Sequence, residues 1–235
     1  MSPEPLVLLH LWGVPSTAVP GAALRMATQR RRLRQVPGLR FAKLLGTGSG
    51  RTFTPRDANP RRWGLLTVWD DDSAADAFAD APVVRSWRRI AEEEWTARLR
   101  PLSARGRWSG REPFGRPTPD RWTGPVAALT RARLVPRRAL AFWRAVPPVS
   151  ADLHAVPGMR FALGIGEAPI GLQGTFSVWQ SAAALNAFAY ERAPHADVVA
   201  RTPREEWYAE ELFARFAVLA TTGTLGGRNP AADLT

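Results

Sequence analysis

His195 sits in the segment ERAPHADVVA (191–200), and an earlier segment, ADAPVVRSWR (79–88), has the same Ala-Pro step but carries Val83 where the later one carries the histidine. An imidazole is a metal ligand, a proton shuttle or a hydrogen-bonding group, whereas valine only packs. The neighbourhood favours the first use. In RTPREEW (201–207), Thr202 is placed as an N-cap, Pro203 at the first helical position and Glu205 three residues after the cap, so a new helix is expected from 203. The piece before it then starts at Pro194 and puts His195 in the first turn of a short helix. The positive end of a helix disfavours the imidazolium and leaves a neutral ring with a free lone pair, the form that binds a metal. The other reading, an idle histidine at a helix start, stays open. In the earlier segment Val84, Trp87, Ala91, Trp95 and Leu99 recur at helical spacing, which predicts one continuous helix from about 82.

Elimination narrows the metal reading. The chain has no cysteine, which excludes disulfides, Cys-zinc sites, iron–sulfur clusters and thiolate-bound haem. His10 alternates with apolar residues in LVLLHLWGV (6–14), pointing either into the barrel or out to solvent, and suits a core or pocket-lining role. His154 precedes a turn and reads as exposed. With three histidines and no HxxE or HxH spacing, a site of several protein ligands is not expected. One protein nitrogen suffices when a porphyrin supplies the other four, so the metal reading becomes haem with His195 proximal. The stretch GTGSG (46–50) lacks the GK[ST] ending of a phosphate loop and reads as a glycine-rich turn. Rossmann and nucleophile-elbow signatures are absent.

The elements that must position such a site come in two similar sets. VPGLRFAKLLGTG (36–48) matches VPGMRFALGIGEA (156–168), LTVWDDDSAADAFA (66–79) matches FSVWQSAAALNAFA (176–189), and ARLRPL (97–102) matches ARFAVL (214–219). Each set opens with an apolar strand, near 6–14 and 125–134. A basic amphipathic helix follows, near 21–35 and 137–147. Two alternating strands come next, near 39–46 with 63–69 and near 159–165 with 173–179, then a helical region and a last strand near 99–107 and 215–222. Within GTFSVW, Thr175, Ser177 and Trp179 are expected on one face and Phe176 and Val178 on the other. The order β-α-β-β-α-β is the ferredoxin-like unit. The expected class is therefore α+β, with two tandem ferredoxin-like repeats closing face to face as a pseudo-dimeric α/β barrel. Repeat one spans 1–112, a Gly- and Pro-rich linker 113–123, and repeat two, carrying His195, spans 124–235.

Composition adds limits. The 235 residues are 45% hydrophobic, and no apolar run reaches the roughly 20 residues of a membrane span. The start, MSPEPLVLLHLWGVP, has no basic leader region, so no signal peptide is read and a cytoplasmic protein is expected. The net charge of +11 is carried almost wholly by scattered arginine, with Lys43 the lone lysine. The cluster RRRLR (30–34) reads as a solvated helix face. Nucleic acid is not the expected partner; contact with an anionic membrane surface or an acidic redox partner fits the charge better.

Several stretches together resemble the spheroidene monooxygenase family: GLRFAKLLGTGSGRTFTP (38–55), PLSARGRWSGREPF (101–114), GPVAALTRARL (124–134), RFALGIGEAP (160–169), TFSVW (175–179) and PHADVVARTPREEWYAEELFARFAVL (194–219). The resemblance implies a haem enzyme of carotenoid biosynthesis. Such an enzyme inserts oxygen from O2 at an allylic carbon of an acyclic carotenoid, with a reductant such as ferredoxin, to give a 2-keto end group. It implies haem b as cofactor and His195 as its iron ligand. It also suggests Arg105 and Arg107, alternating along a strand end, as propionate anchors, although a solvated strand end explains them equally. Trp207, Tyr208 and Phe213 become pocket-lining candidates, with core packing as the other account. Two further readings remain: a haem enzyme of the chlorite dismutase or aldoxime dehydratase type acting on a peroxide or N–O substrate, and a haem or carotenoid carrier without turnover. Peripheral membrane contact and homo-oligomerisation are compatible with all three.

Overall fold

The computed structural model describes residues 5–50, 57–117, 121–135, 137, 156–167, 172–191 and 208–232. Eight strands form a closed antiparallel barrel: β1 (Leu6–Gly13), β2 (Leu39–Gly48), β3 (Ala58–Trp69), β4 (Glu93–Gly106), β5 (Val126–Leu134), β6 (Met159–Gly166), β7 (Leu172–Trp179) and β8 (Tyr208–Gly223). Around the barrel the order is β1-β3-β2-β6-β7-β5-β8-β4. Four α-helices lie among the described residues: α1 (Val19–Leu33), α2 (Asp72–Ala77), α3 (Pro82–Arg88) and α4 (Ala182–Asn186). None of the helices there is long and apolar enough to cross a membrane.

Period-two alternation decides the layers. Val7, Leu9 and Leu11 of β1, Phe176 and Val178 of β7, and Leu212, Ala214 and Phe216 of β8 fill the barrel interior. The opposite faces of the same strands look outward. Thr175, Ser177 and Trp179 share one face, as their alternation predicts, and it is the outer one; the Trp179 indole donates to Ser177 Oγ at 2.9 Å. The first half repeats this pair, with the Trp69 indole donating to Thr67 Oγ1 at 2.9 Å. Both VPG turns need their glycine: Gly38 (φ 72°) and Gly158 (φ 84°) are left-handed, and a Cβ would meet Ala74 Cβ at 2.7 Å and Ala184 Cβ at 2.8 Å.

The strands of the two halves meet along two seams. β4 and β8 pair over a long run, from Trp95 opposite Gly223 to Gly106 opposite Leu212. The β2–β6 seam is short, holding only Gly46 opposite Gly166, Thr47 opposite Ile165 and Gly48 opposite Gly164. Past the end of β4 the chain sends Trp108 and Phe114 back into the barrel core, where Phe114 packs edge-on against Phe216 at 4.9 Å. The segment between the halves is thereby anchored in the core.

One expectation fails. The continuous helix from about 82 ends at Arg88, and β4 begins at Glu93. Trp95 and Leu99 lie inside the barrel from a strand, not on a helix. A spacing of four is an even number, so residues 91, 95 and 99 share a face at period two as well as at period 3.6. The strand wins because β4 must pair with β1 on one side and β8 on the other. The last strand of each half therefore starts earlier than expected, and Tyr208, placed after a helix start at 203, is already the first residue of β8. The expected helices at 137–147 and from 203, apart from that strand start, lie outside the described residues. Arg30, Arg31, Arg32 and Arg34 are exposed on or just after α1 while Leu33 is buried, as a solvated helix face requires.

Candidate active site

The outer faces of the two halves carry different side chains at matching positions. Across β1, β3 and β2, His10 stands opposite Leu65, and Leu65 opposite Leu44. Across β5, β7 and β6, the corresponding row is Thr130, Thr175 and Gly164. One position along, Trp12 of β1 corresponds to Ala132 of β5; one position back, Leu8 corresponds to Ala128. The rows nearest the Trp69 and Trp179 ends are alike in the two halves, whereas those toward the other end diverge from large to small.

In the first half the large side chains fill the space under α1 and α3. The His10 ring stacks on Trp12 at 5.3 Å, and Trp12 on Trp87 at 5.2 Å. His10 Nδ1 lies 3.0 Å from Thr96 Oγ1 and 3.7 Å from Glu94. His10 is 3% exposed. It thus points neither into the barrel nor into solvent but outward into a second core, consistent with a packing role. Burial alone would raise the Glu94 carboxyl, but hydrogen bonds involving His10 and Arg88 hold it at about 2. Filling this face leaves the indole N–H groups of Trp12 and Trp87 buried without partners among the described residues. An orphaned donor of that kind costs stability, offset here by the large apolar burial of the rings.

In the second half Ala128, Thr130, Ala132, Ala162 and Thr175 are half-buried, and Gly164 adds no side chain. Thr130 Oγ1 and Thr175 Oγ1 lie 2.5 Å apart. Phe213 of β8 stands opposite Thr130 and extends the row, with the Arg105 guanidinium 5.0 Å from its ring centroid. Arg105 and Phe213 are thus brought to the edge of this face. Arg107 is not: it is 65% exposed and lies 3.8 Å from Glu112. Tyr208 is half-buried at the start of β8 opposite Leu134. His195, Trp207 and His154 lie outside the described residues.

A second cluster escapes a reading of the sequence. Lys43, Arg131, Glu167 and Glu210 share the inward parity of Phe41 and Leu45, Ala127 and Leu129, Ile165, and Leu212, so their charges sit inside one end of the barrel. Glu167 accepts from Lys43 Nζ at 2.5 Å, from the Trp108 indole at 2.6 Å and from Arg131 at 3.1 Å. Arg131 also donates to Glu210, which accepts from the backbone N–H groups of Ser109 at 3.0 Å and Gly110 at 2.7 Å. Burial would raise the Glu167 carboxyl, but Lys43, Trp108 and Arg131 keep it below the usual range. For Glu210 burial is likewise outweighed, by the Gly110 and Ser109 amides and by Arg131. The cluster is neutral in sum and joins residues of both halves close to the short β2–β6 seam. A charged residue at an inward position of an otherwise apolar alternation was the available signal, at Lys43 and Arg131 above all.

No protein-family model matches the chain. It is similar to the spheroidene monooxygenase of Rhodobacter capsulatus, 40% identical and covering 97% of this chain and 96% of that protein. The enzyme of the same name from Rubrivivax gelatinosus is 42% identical, covering 82% of this chain and 73% of its own. Among solved structures, an aldoxime dehydratase complexed with butyraldoxime superposes with a TM-score of 0.58 at 12% identity, covering 91% of this chain and 79% of that one. That likeness is one of fold.

Proposed function

We propose, for a chain that belongs to the spheroidene monooxygenase family, that it inserts oxygen into an acyclic carotenoid or a similar apolar substrate, using haem b held against the outer face of β5, β7 and β6. The observation that carries this reading is the contrast between the two faces. Trp12, His10, Leu44 and Leu65 close the first, whereas the second has the smaller Ala132, Thr130, Gly164 and Thr175 at the matching positions, against which a flat apolar group would lie. The residues present fit haem on that ground.

His195 is the proposed axial ligand. His10, stacked under Trp12, is committed to packing and cannot take the part without dismantling the first half's core. Arg105, already lying over Phe213 at the edge of the face, is the better placed propionate anchor by a charge-assisted hydrogen bond. Arg107 joins it only by turning from Glu112. Phe213 walls the β8 edge of the face, and Trp207 and Tyr208 are carried with it as candidate pocket residues. Haem would supply the activation of O2 that oxidation of a C–H bond needs. The chain's own part is to keep the face apolar and water-poor, to fix the group's orientation and to place hydrogen-bond donors. Each round takes one O2, two electrons and two protons, forms one C–O bond and releases one water. A second round at the same carbon, with loss of water, gives a ketone. The electrons come from a small redox protein of the ferredoxin class, for which a chain of net charge +11 is an electrostatic match if that partner is acidic.

We read the two halves as tandem ferredoxin-like units, 1–112 and 124–235 joined by 113–123, closed as a pseudo-dimer. The support is the shared strand order, β4-β1-β3-β2 and β8-β5-β7-β6, with like cross-strand partners. A cytoplasmic location, with peripheral membrane contact to collect the substrate, completes the reading.

The test is the visible spectrum of the full chain expressed with a haem supply, beside His195→Ala, followed by turnover of spheroidene with reduced ferredoxin. A Soret band that is weakened or shifted in the variant, with keto product from the unsubstituted protein, is the expected result. An unchanged band in His195→Ala removes that residue as ligand. No Soret band in either protein removes haem from the account.

A further inference from the structure

We infer that Thr130 and Thr175 act as a positioning pair that donates one hydrogen bond to dioxygen held over the second face. This rests on the reading above. Two hydroxyls carry two protons between them. One hydroxyl donates to the other, with the oxygens 2.5 Å apart, and the second proton has no acceptor among the described residues. The pair therefore keeps one donor to offer off the sheet.

Position separates this pair from other hydroxyls nearby. Ser177 also lies on the outer face, but it accepts from the Trp179 indole as Thr67 accepts from Trp69 in the first half. That arrangement is common to both halves and needs only a structural account. Thr130 and Thr175 have no such counterpart: the matching first-half residues are His10 and Leu65, which pack. They stand in the middle of the divergent row, between Phe213 and Gly164, with Glu211, Ala132 and Gln173 in the row on one side and Arg215, Ala128 and Ser177 in the row on the other.

Their chemistry suits the task. Threonine is β-branched and stiff at χ1, and cross-strand pairing fixes both backbones, so the donor is oriented in advance. Negative charge develops on dioxygen as it is reduced, and an oriented donor in an apolar site stabilises that charge without reorganising. An imidazole from His195 would push less electron density than a thiolate, so a hydrogen-bond donor supplied by the chain would matter more. The hydroxyls orient and hold a proton; the pair is not itself an acid at neutral pH.

The experiment uses the full chain loaded with haem, with Thr130→Val and Thr175→Val beside Thr130→Ser. Three readouts are taken: haem uptake by Soret titration, the C–O stretching frequency of the reduced protein under carbon monoxide, and product formed per electron pair consumed. The expected result is haem uptake like that of the unsubstituted protein in all three variants. The C–O frequency rises in both valine variants as the donor is lost. Product per electron pair falls about tenfold, the worth of one neutral hydrogen bond. Thr130→Ser restores both. Haem uptake with C–O frequency and coupling unchanged in both valine variants overturns the pair's role and leaves the haem reading standing. A C–O shift that Thr130→Ser fails to reverse also overturns it, since shape rather than the hydroxyl would then be responsible. Failure of the unsubstituted protein to take up haem overturns both readings together.

Discussion

Two faces of one barrel, set on strands with matching cross-strand partners, carry different side chains. The face of β1, β3 and β2 is closed by its own side chains, with Trp12 between His10 and Trp87. The face of β5, β7 and β6 carries the smaller Ala132, Thr130, Thr175 and Gly164 at the matching positions. Both keep the same foundation at the tryptophan end, Trp69 on Thr67 and Trp179 on Ser177. The filled face supplies the barrel with a second core, and the other packs a smaller cluster around Trp179, Leu185 and Phe188.

The comparison can be broken first at its largest difference. Trp12→Ala should destabilise the protein by about 3–5 kcal/mol, since it opens a cavity at a fully buried ring with no collapse available beneath Trp87. Urea unfolding measures it, and a cost below about 1 kcal/mol would mean that the first face is not a core. The reverse exchange, Ala132→Trp, should leave the barrel folded while abolishing the Soret band of haem-supplied protein; an undiminished band would place haem elsewhere.

The charged cluster gives an effect of comparable size where the two halves meet. Glu167→Ala leaves Lys43 and Arg131 without their shared carboxylate, at about 3–5 kcal/mol in equilibrium unfolding. Replacement of the whole cluster by apolar residues should cost far less, because no uncompensated charge then remains. A smaller effect tests the first face through pH. The Glu94 carboxyl, held at about 2, binds its proton more weakly folded than unfolded. Its contribution is therefore complete above the unfolded value of about 4.3 and lost as pH falls from there through 2. Melting temperature followed from pH 6 to pH 2 should drop less steeply in Glu94→Gln than in the unsubstituted protein, and parallel curves would remove Glu94 as the cause. The smallest effect sharpens the likeness: Thr67→Val and Ser177→Ala each remove one hydrogen bond to an indole, so each should cost about 1 kcal/mol in thermal melts. A markedly unequal pair would show that the two foundations are not equivalent.

Much of this was legible from the sequence, and the exceptions are instructive. Alternation put Phe176 and Val178 on one face and Thr175, Ser177 and Trp179 on the other, and the paired VPG motifs marked corresponding points of the two sets. The stretch after residue 88 was misread because residues spaced by four satisfy helix and strand alike. Pairing with two neighbours decided it. The hydroxyl pair was invisible because Thr130 and Thr175 are separated by dozens of residues and meet only through strand register. Lys43 was noticed as a solitary lysine, but nothing local says that Glu167 is its partner.

What the sequence determined by itself is that there are two similar sets of elements and that residues along each strand alternate between two faces. Periodicity along a strand is local geometry and needs no knowledge of what packs opposite. Only the tertiary structure decided which of those residues meet: that Arg131 and Lys43 share Glu167, that Thr130 faces Thr175, that Trp108 turns back into the barrel. Those contacts depend on which strands become neighbours when the barrel closes, and closure is a property of the whole chain.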